Sequence, residues 1–191
     1  MGPSGRLPLT FPTDEDQLPR PELPGYTAAA PEGPTMTQGP PLQVHYDEGS
    51  DVGYRWYAAK GLKPLYPFGY GLSYTDFRYG GLKATGGNGL SVSFTVTNTG
   101  SRSGTETPQL YLAKGPRRAQ QRLLGWSRVV LKPGETRRVV IAANPMLLAD
   151  WSEAGHRWKR DAGRYRLFVG ANAADPALKG EAMLTGAALA P

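Results

Sequence analysis

The chain has 191 residues, of which 39% are hydrophobic and 20% are charged, so it is long enough for one domain with a hydrophobic core. Its 25 Gly and 18 Pro favour short strands joined by turns and exclude a helical bundle. The absence of Cys excludes disulfides and cysteine nucleophiles, and two His are too few for a histidine-rich metal site. We therefore predict no metal and no cofactor.

The net charge of +6 is unevenly distributed along the chain. Residues 1–50 contain two basic and seven acidic residues, whereas residues 51–191 contain 20 basic and nine acidic residues. The basic residues are scattered singly or in pairs without a nucleic-acid-binding motif, which favours a solvated face over a nucleic-acid partner. The apolar runs are far shorter than the roughly 20 residues of a membrane-spanning helix, so no membrane partner is expected.

The first 75 residues are predicted to contain little regular structure. Ten of the 18 Pro lie in the first 41 residues, which disfavours both helices and sheet hydrogen bonds. We interpret residues 13–43 as an extended, polyproline-like connector. Nine of the 19 aromatic residues follow in the block Tyr54–Tyr79. Residues 13–75 are thus a Pro-rich strap followed by an aromatic linker.

Residues 76–188 are predicted to form an all-β, immunoglobulin-like sandwich of two sheets. The alternation is clearest from Leu90 to Thr97, where Val92, Phe94 and Val96 point to one face and Ser and Thr to the other. About seven short strands at near-regular spacing fit a sandwich of roughly 100 residues. The predicted strands are Phe77–Leu82, Leu90–Thr97, Gln109–Ala113, Trp126–Leu131, Arg137–Ala142, Arg164–Val169 and Ala182–Thr185.

One tyrosine supports the sandwich interpretation. Tyr165 follows a Gly turn at the start of a late strand, which is where a tyrosine corner bonds its hydroxyl to the upstream backbone. An ordinary inward-facing Tyr is the alternative, and both interpretations lead to the same fold.

Candidate catalytic groups are few. His45 and His156 lie in Pro-rich and turn-rich stretches, where a surface role is more common than a general base. Glycoside hydrolysis needs two carboxylates across a cleft, but the acids here are expected in turns or on outer faces rather than around a cleft. The acids considered are Asp47, Glu48, Asp51, Asp76, Glu106, Asp150, Glu153 and Asp161. We predict no catalytic residue in this chain.

Three groups of motifs, in this order along the chain, carry a family resemblance. They are PSGRLPLTFP at residues 3–12, PFGYGLSYT at residues 67–75 after an aromatic stretch, and VTNTG, QLY, LKPGE and GRYRLFVG between residues 96 and 170. Together they resemble the C-terminal portion of a family 3 glycoside hydrolase of the β-glucosidase type. The resemblance implies a fibronectin type III-like sandwich. It also implies that residues 1–12 are a remnant strand of a preceding α/β sandwich domain.

The resemblance also places the chemistry elsewhere. In that family the nucleophilic Asp lies in an N-terminal barrel and the acid/base Glu in the second domain, both upstream of the motifs matched here. We therefore expect an accessory and stabilising region that is inactive alone, whose partners are the catalytic barrel and the α/β sandwich domain. Because Met1 stands directly before a motif expected to be internal, a truncated gene, a fragment or an excised piece is expected. The sequence does not determine the location of the parent enzyme; a bacterial periplasmic or secreted enzyme is compatible with the resemblance.

The aromatic linker is the candidate functional surface. We predict that it contacts a neighbouring domain, with Arg55 pairing with a carboxylate there. The predicted contact residues are Tyr54, Arg55, Trp56, Tyr57, Phe68 and Tyr70. Leu7, Leu9 and Phe11 are expected to lack neighbouring strands. Two alternatives stay open: a stand-alone carbohydrate- or surface-binding module that uses the aromatic block, and a basic module that binds acidic polymers.

Overall fold

The computed structural model describes residues 2–19, 48–116 and 120–189, and strands dominate these ranges. Helical segments are short: 3-10 turns at Glu15–Gln17 and Pro145–Leu148, and the helix α1 at Tyr54–Lys60. The strands are β1 Phe77–Thr85, β2 Ser91–Asn98, β3 Gly104–Glu106, β4 Gln109–Lys114, β5 Arg122–Trp126, β6 Val129–Leu131, β7 Thr136–Ala142, β8 Asp150–Ser152, β9 Arg157–Arg160, β10 Gly163–Gly170, β11 Leu178–Leu184 and β12 Ala187–Leu189. The predicted all-β class is confirmed.

The first sheet has the antiparallel order β1–β2–β7. Along β2 the predicted alternation is confirmed, because Val92, Phe94 and Val96 are buried and the intervening Ser and Thr are partly exposed. The register between β1 and β2 shifts between Gly80 and Lys83. This bulge lets the second half of β1 turn its apolar residues towards the core as the first half does.

The second sheet has the antiparallel order β11–β10–β4–β5 and faces the first across the core. The core is apolar and draws on both sheets, as a sandwich requires. Its largest fully buried apolar members are Phe94, Leu110, Leu124, Leu131 and Leu167. Burying each such side chain stabilises the fold by about 1.5–3 kcal/mol relative to leaving it exposed.

The tyrosine corner predicted at Tyr165 is present. The ring is buried and its hydroxyl donates to the carbonyl oxygen of Asp161 at 2.8 Å. Burial, with a smaller contribution from the Asp161 carboxylate, raises the pKa of the Tyr165 phenol. The hydroxyl therefore stays a hydrogen-bond donor that ties the start of β10 to the preceding turn.

The prediction of one strand over Trp126–Leu131 was wrong. β5 ends at Trp126 and β6 begins at Val129, where it pairs with β3 rather than with the second sheet. The N–H of Ser127 donates to the carbonyl oxygen of Pro108 at 3.1 Å and redirects the chain between the two strands. The small β12–β9–β8 sheet was also not predicted, because its strands have only three or four residues.

The connector predicted at residues 13–43 is described only as far as residue 19, where Glu15–Gln17 forms a 3-10 turn. Residues 20–43, together with His45, lie outside the described residues. Within the described ranges, no helix is long and apolar enough to cross a membrane. The same ranges hold no group of three His, Asp or Glu that could bind a metal ion.

Candidate interdomain surface

A short helix contains four of the six predicted contact residues. Glycines bracket α1, since Gly53 and Gly61 have φ angles of +56° and +64°, in the left-handed region that other residues rarely adopt. The N–H of Gly61 donates to the carbonyl of Tyr57 and ends the helix. The two glycines thus confine α1 to seven residues.

Tyr54 fastens this helix to the outer face of the second sheet. Its ring centroid lies 5.0 Å from that of Phe68 and 5.9 Å from that of Tyr111, which in turn stacks on Phe168 at 4.8 Å. The Tyr54 hydroxyl accepts the backbone N–H of Leu123 at 2.9 Å. Tyr54 and Phe68 therefore contact the sandwich of their own chain, and any contact with a further domain stays a prediction.

Gln109 joins the linker to the same sheet. Its Nε2 donates to the carbonyl oxygens of Gly69 at 3.2 Å and Ala171 at 2.6 Å, and its Oε1 accepts the Tyr111 hydroxyl at 2.5 Å. Burial raises the pKa of Tyr111, so this phenol remains a donor. A Cβ at Gly69, whose φ is +82°, would lie 2.2 Å from the Gln109 side chain. The close approach therefore requires glycine.

Trp56 and Arg55 have partners within the linker itself. The Trp56 indole N–H donates to the carbonyl oxygen of Gln17 at 2.9 Å, and the Lys60 ammonium lies 4.8 Å from its ring centroid. The Arg55 guanidinium donates to the carbonyl oxygen of Ser50 at 3.4 Å and pairs with no carboxylate among the described residues. The predicted ion pair between Arg55 and another domain is neither formed nor blocked here.

Tyr57 is the buried residue of α1. It is 6% exposed, and its hydroxyl finds no hydrogen-bond partner among the described residues. Burial and then the nearby Asp14 carboxylate raise the pKa of this phenol. A cavity of about 330 Å³ lies between α1 and the buried ring of Phe168, and Tyr57 lines it.

The N-terminal segment pairs with the part of the linker that follows α1. The N–H of Leu7 donates to the carbonyl of Tyr70, the N–H of Gly69 to the carbonyl of Leu7, and the N–H of Phe11 to the carbonyl of Tyr66, each at 2.8 Å. The expectation that no neighbouring backbone pairs with this segment was therefore wrong for Leu7 and Phe11, whereas Leu9 is 49% exposed. Residues 55 to 63 positions later in the chain pair with the backbone of Leu7 and Phe11.

A buried ion pair holds the same segment against the sandwich. Arg6 Nη2 donates to Glu106 Oε1 at 2.6 Å, and this oxygen also accepts the N–H of Thr107 at 2.8 Å. Glu106 is 4% exposed at the end of β3. The expectation that the acids lie in turns or on outer faces was wrong for this residue, because the arginine partner makes its burial tolerable.

An apolar groove of about 620 Å³ runs along this pairing. Phe11 and Tyr66 are each 41% exposed, and Leu72 is 66% exposed. The Tyr66 and Tyr70 rings tilt by 39° at 5.1 Å, so they do not form one flat platform. The groove is lined by Pro3, Leu7, Phe11, Tyr66, Tyr70 and Leu72, among others. Of the six predicted contact residues, Tyr70 is the one that lies in this groove.

Sequence reasoning missed the groove because its two walls are far apart in the chain. A local signal does exist in the PFGYGLSYT string, where Gly69 and Gly71 alternate with Tyr70. A Cβ at Gly71 would lie 2.4 Å from the carbonyl oxygen of Gly5. Alternating glycines next to large apolar residues can thus indicate where another backbone approaches closely.

Three other described carboxylates engage basic or amide side chains. Asp150 accepts from Arg122, Asp51 accepts from Gln120, and Glu135 accepts from Arg137 at 2.5 Å. The Lys132 backbone N–H and the Arg137 guanidinium lower the pKa of Glu135. No two acids among these contacts face each other across a cleft, which is the arrangement that glycoside hydrolysis needs.

Comparison with known proteins identifies a family model for part of the sandwich. Residues 106–173 match the fibronectin type III-like domain, which lies inside the predicted sandwich at 76–188. The fibronectin type III-like fold expected from the sequence motifs is confirmed.

Similar proteins extend the match to almost the whole chain. A β-glucosidase from Rhizobium radiobacter is 36% identical over 183 residues, covering 91% of this chain and 21% of that protein. The structure of β-glucosidase 3B from Thermotoga neapolitana, in complex with α-D-glucose, matches with a TM-score of 0.81 and 35% identity over 100% of this chain and 26% of that one. A family 3 β-glucosidase from Bifidobacterium adolescentis matches with a TM-score of 0.81 and 33% identity, over 97% and 26% of the two chains. The chain spans about a fifth to a quarter of the length of these relatives.

Proposed function

We propose that this chain, which corresponds to the C-terminal, fibronectin type III-like region of family 3 β-glucosidases, serves such an enzyme as a non-catalytic accessory and stabilising region. The enzyme as a whole hydrolyses β-linked gluco-oligosaccharides or glycosides in this proposal. The catalytic barrel and the α/β sandwich domain of the enzyme supply the nucleophile and the acid/base. This chain contributes a contact surface for those two domains and stabilises the enzyme.

The proposal divides the chain into three parts. Residues 1–12 are a strand of the preceding α/β sandwich domain, residues 13–75 are the Pro-rich strap and aromatic linker, and residues 76–188 are the sandwich. The hydrogen bonds of residues 7–11 with residues 65–70 support this division, because the segment pairs with the linker and not with any of the sandwich strands.

The exposed apolar groove is the observation that carries the proposal. A Leu that is 66% exposed beside two half-exposed aromatic rings forms a contiguous apolar patch, which commonly marks an interaction surface. The relatives are four to five times longer than this chain, so each contains further chain that can cover such a patch. We assign the groove, together with Tyr70, to the contact with the α/β sandwich domain and the barrel.

The Arg6–Glu106 ion pair supports the stabilising role. It joins the segment that enters the α/β domain to β3 of the sandwich. Because both side chains are largely removed from water, breaking the pair leaves an uncompensated buried charge. The pair therefore fixes the N-terminal segment relative to the sandwich, so that the groove is formed before any neighbour docks.

A chimera tests this function. Residues 2–189 replace the matching region of Thermotoga neapolitana β-glucosidase 3B, and the Tm and the release of nitrophenol from an aryl β-glucoside are measured. We expect an active chimera in which Leu72→Asp lowers the Tm, because the lost burial of one Leu amounts to about 1.5–3 kcal/mol. In the isolated chain the same substitution is expected to be nearly neutral, since Leu72 is exposed there.

Val140→Asp is the matched control. Val140 is 59% exposed on β7, in the other sheet, and should respond equally in the chimera and in the isolated chain. If Leu72→Asp changes the Tm by the same amount in both settings, the groove is not covered by the rest of the enzyme and the proposed role is wrong.

A further inference from the structure

The outer face of the β1–β2–β7 sheet has an unusual composition. Its twelve paired positions hold basic, hydroxyl-bearing and small apolar side chains, and no carboxylate or aromatic ring. The cations are Arg78, Lys83 and Arg138; the hydroxyls belong to Thr85, Ser91, Ser93, Thr95, Thr97 and Thr136; the rest are Gly80, Val140 and Ala142. We call these twelve residues the hydroxyl face. Asp76 and Glu135 lie just beyond its strands at one end, and Glu135 pairs with Arg137.

The three cations of the hydroxyl face are exposed and carry no ion pair among the described residues. Arg78 and Lys83 stand opposite Thr97 and Ser93 on β2, four residues apart, which separates them by about 14 Å. Arg138 lies on β7, two strands away from β1, which corresponds to about 10 Å. It donates to Ser93 Oγ at 3.2 Å. The positive charge is thus spread over the sheet rather than concentrated at one point.

The hydroxyl face points away from the apolar groove. The groove segment packs through Phe68 and Tyr54 on Tyr111 and Phe168, which belong to the outer face of the opposite sheet. Because the two sheets stack across one core, their outer faces point in opposite directions. A neighbour that covers the groove therefore leaves the hydroxyl face open to solvent.

We propose that the hydroxyl face binds a linear anionic polysaccharide, with a polymer of uronic acids as its chemical class. The three cations complement carboxylates repeated along such a chain, through charge-assisted hydrogen bonds. The Ser and Thr rows add hydroxyls for the sugar groups between the carboxylates, through the bonding capacity left beyond the Thr95–Gly80 and Thr97–Thr136 hydrogen bonds. The exposed face of three adjacent strands is long enough for several residues of an extended polymer, whereas the lack of aromatic rings removes the stacking that single-stranded nucleic acid requires. This inference goes beyond the accessory role and does not depend on it.

Affinity electrophoresis of the whole chain in gels that contain polygalacturonate tests the proposal. We expect retardation by this polymer and none by a neutral soluble β-glucan. Three released counterions predict an affinity that falls roughly tenfold or more between about 50 and 200 mM salt. The triple variant R78A/K83A/R138A should lose the retardation while it keeps the wild-type Tm, because all three side chains are exposed.

Lys114, Arg128 and Lys179 provide the matched control, since they are equally exposed cations that lie outside the hydroxyl face. The variant K114A/R128A/K179A removes the same net charge and should still be retarded. Equal loss of retardation in both triple variants would show that only the net charge of the chain matters, and would overturn the proposal. Retardation by the neutral glucan, or tighter binding of a double-stranded DNA fragment to the same face, would also overturn it.

Discussion

Tyr54 tests how firmly the aromatic linker is attached to the sandwich of its own chain. Replacing Tyr54 with Ala removes two ring contacts, each stabilising by about 0.5–1.5 kcal/mol, to Phe68 and Tyr111. It also leaves the N–H of Leu123 without its acceptor, which costs about 1–3 kcal/mol where the group stays dry. Since neighbouring effects do not add fully, we expect a loss of about 2–4 kcal/mol in the free energy of unfolding.

Equilibrium unfolding in urea, followed by tryptophan fluorescence, measures this loss. With a slope of about 2 kcal/mol/M, the midpoint should fall by about 1–2 M for Tyr54→Ala. Tyr54→Phe is the control, because it keeps both ring contacts and loses only the hydroxyl, so its loss should be about 1–2 kcal/mol. If both variants unfold at the wild-type midpoint, the linker is not attached to the sandwich in solution and the reasoning fails.

Three further changes test other contacts. Glu106→Ala should lower the free energy of unfolding by about 3 kcal/mol, because it strands the arginine partner of Glu106 in a largely dry site; a urea midpoint within error of wild type would contradict this. Tyr165→Phe should cost about 1–2 kcal/mol in the same assay through loss of the tyrosine corner, and a neutral result would show that its hydroxyl is satisfied by water instead. The pKa of Glu135 is lowered by the Lys132 N–H and by Arg137, so its stabilisation is full above the ordinary value of 4.5 and is lost as the pH falls below it. Glu135→Gln should therefore reduce the fall in Tm at acid pH when the Tm is measured across a pH series. An unchanged fall in Tm would refute the role assigned to Glu135.

Local patterns were sufficient for most of the sandwich. The strict alternation around Phe94 predicts both the strand and its buried face, because a strand between core and solvent has a period of two. Tyr165 could be predicted from the Gly turn before it, since the corner bond spans only four residues. Where the prediction failed, as at Trp126, neither Gly nor Pro marks the turn at Ser127, which depends on the distant carbonyl of Pro108.

The candidate surface was much harder to predict. The helix that begins at Tyr54 contains three large aromatic side chains. Which of them face the sandwich depends on contacts with Tyr111 and Phe168, far along the chain. The groove depends on backbone pairing between Leu7 and Tyr70, and no periodicity within either segment encodes that pairing. Long-range pairing of this kind is the information that a single sequence read locally does not contain.

Hydrolysis of an aryl β-glucoside by the purified 191-residue chain tests the central claim most directly. The account predicts no nitrophenol release above a buffer blank, because retaining hydrolysis needs a carboxylate nucleophile about 5 Å from a carboxylic acid. Glu106 is held by Arg6, and Asp51 by Gln120, instead of facing such a partner. Turnover above the blank that Glu106→Gln or Asp51→Asn abolishes would contradict the account and place the chemistry in this chain.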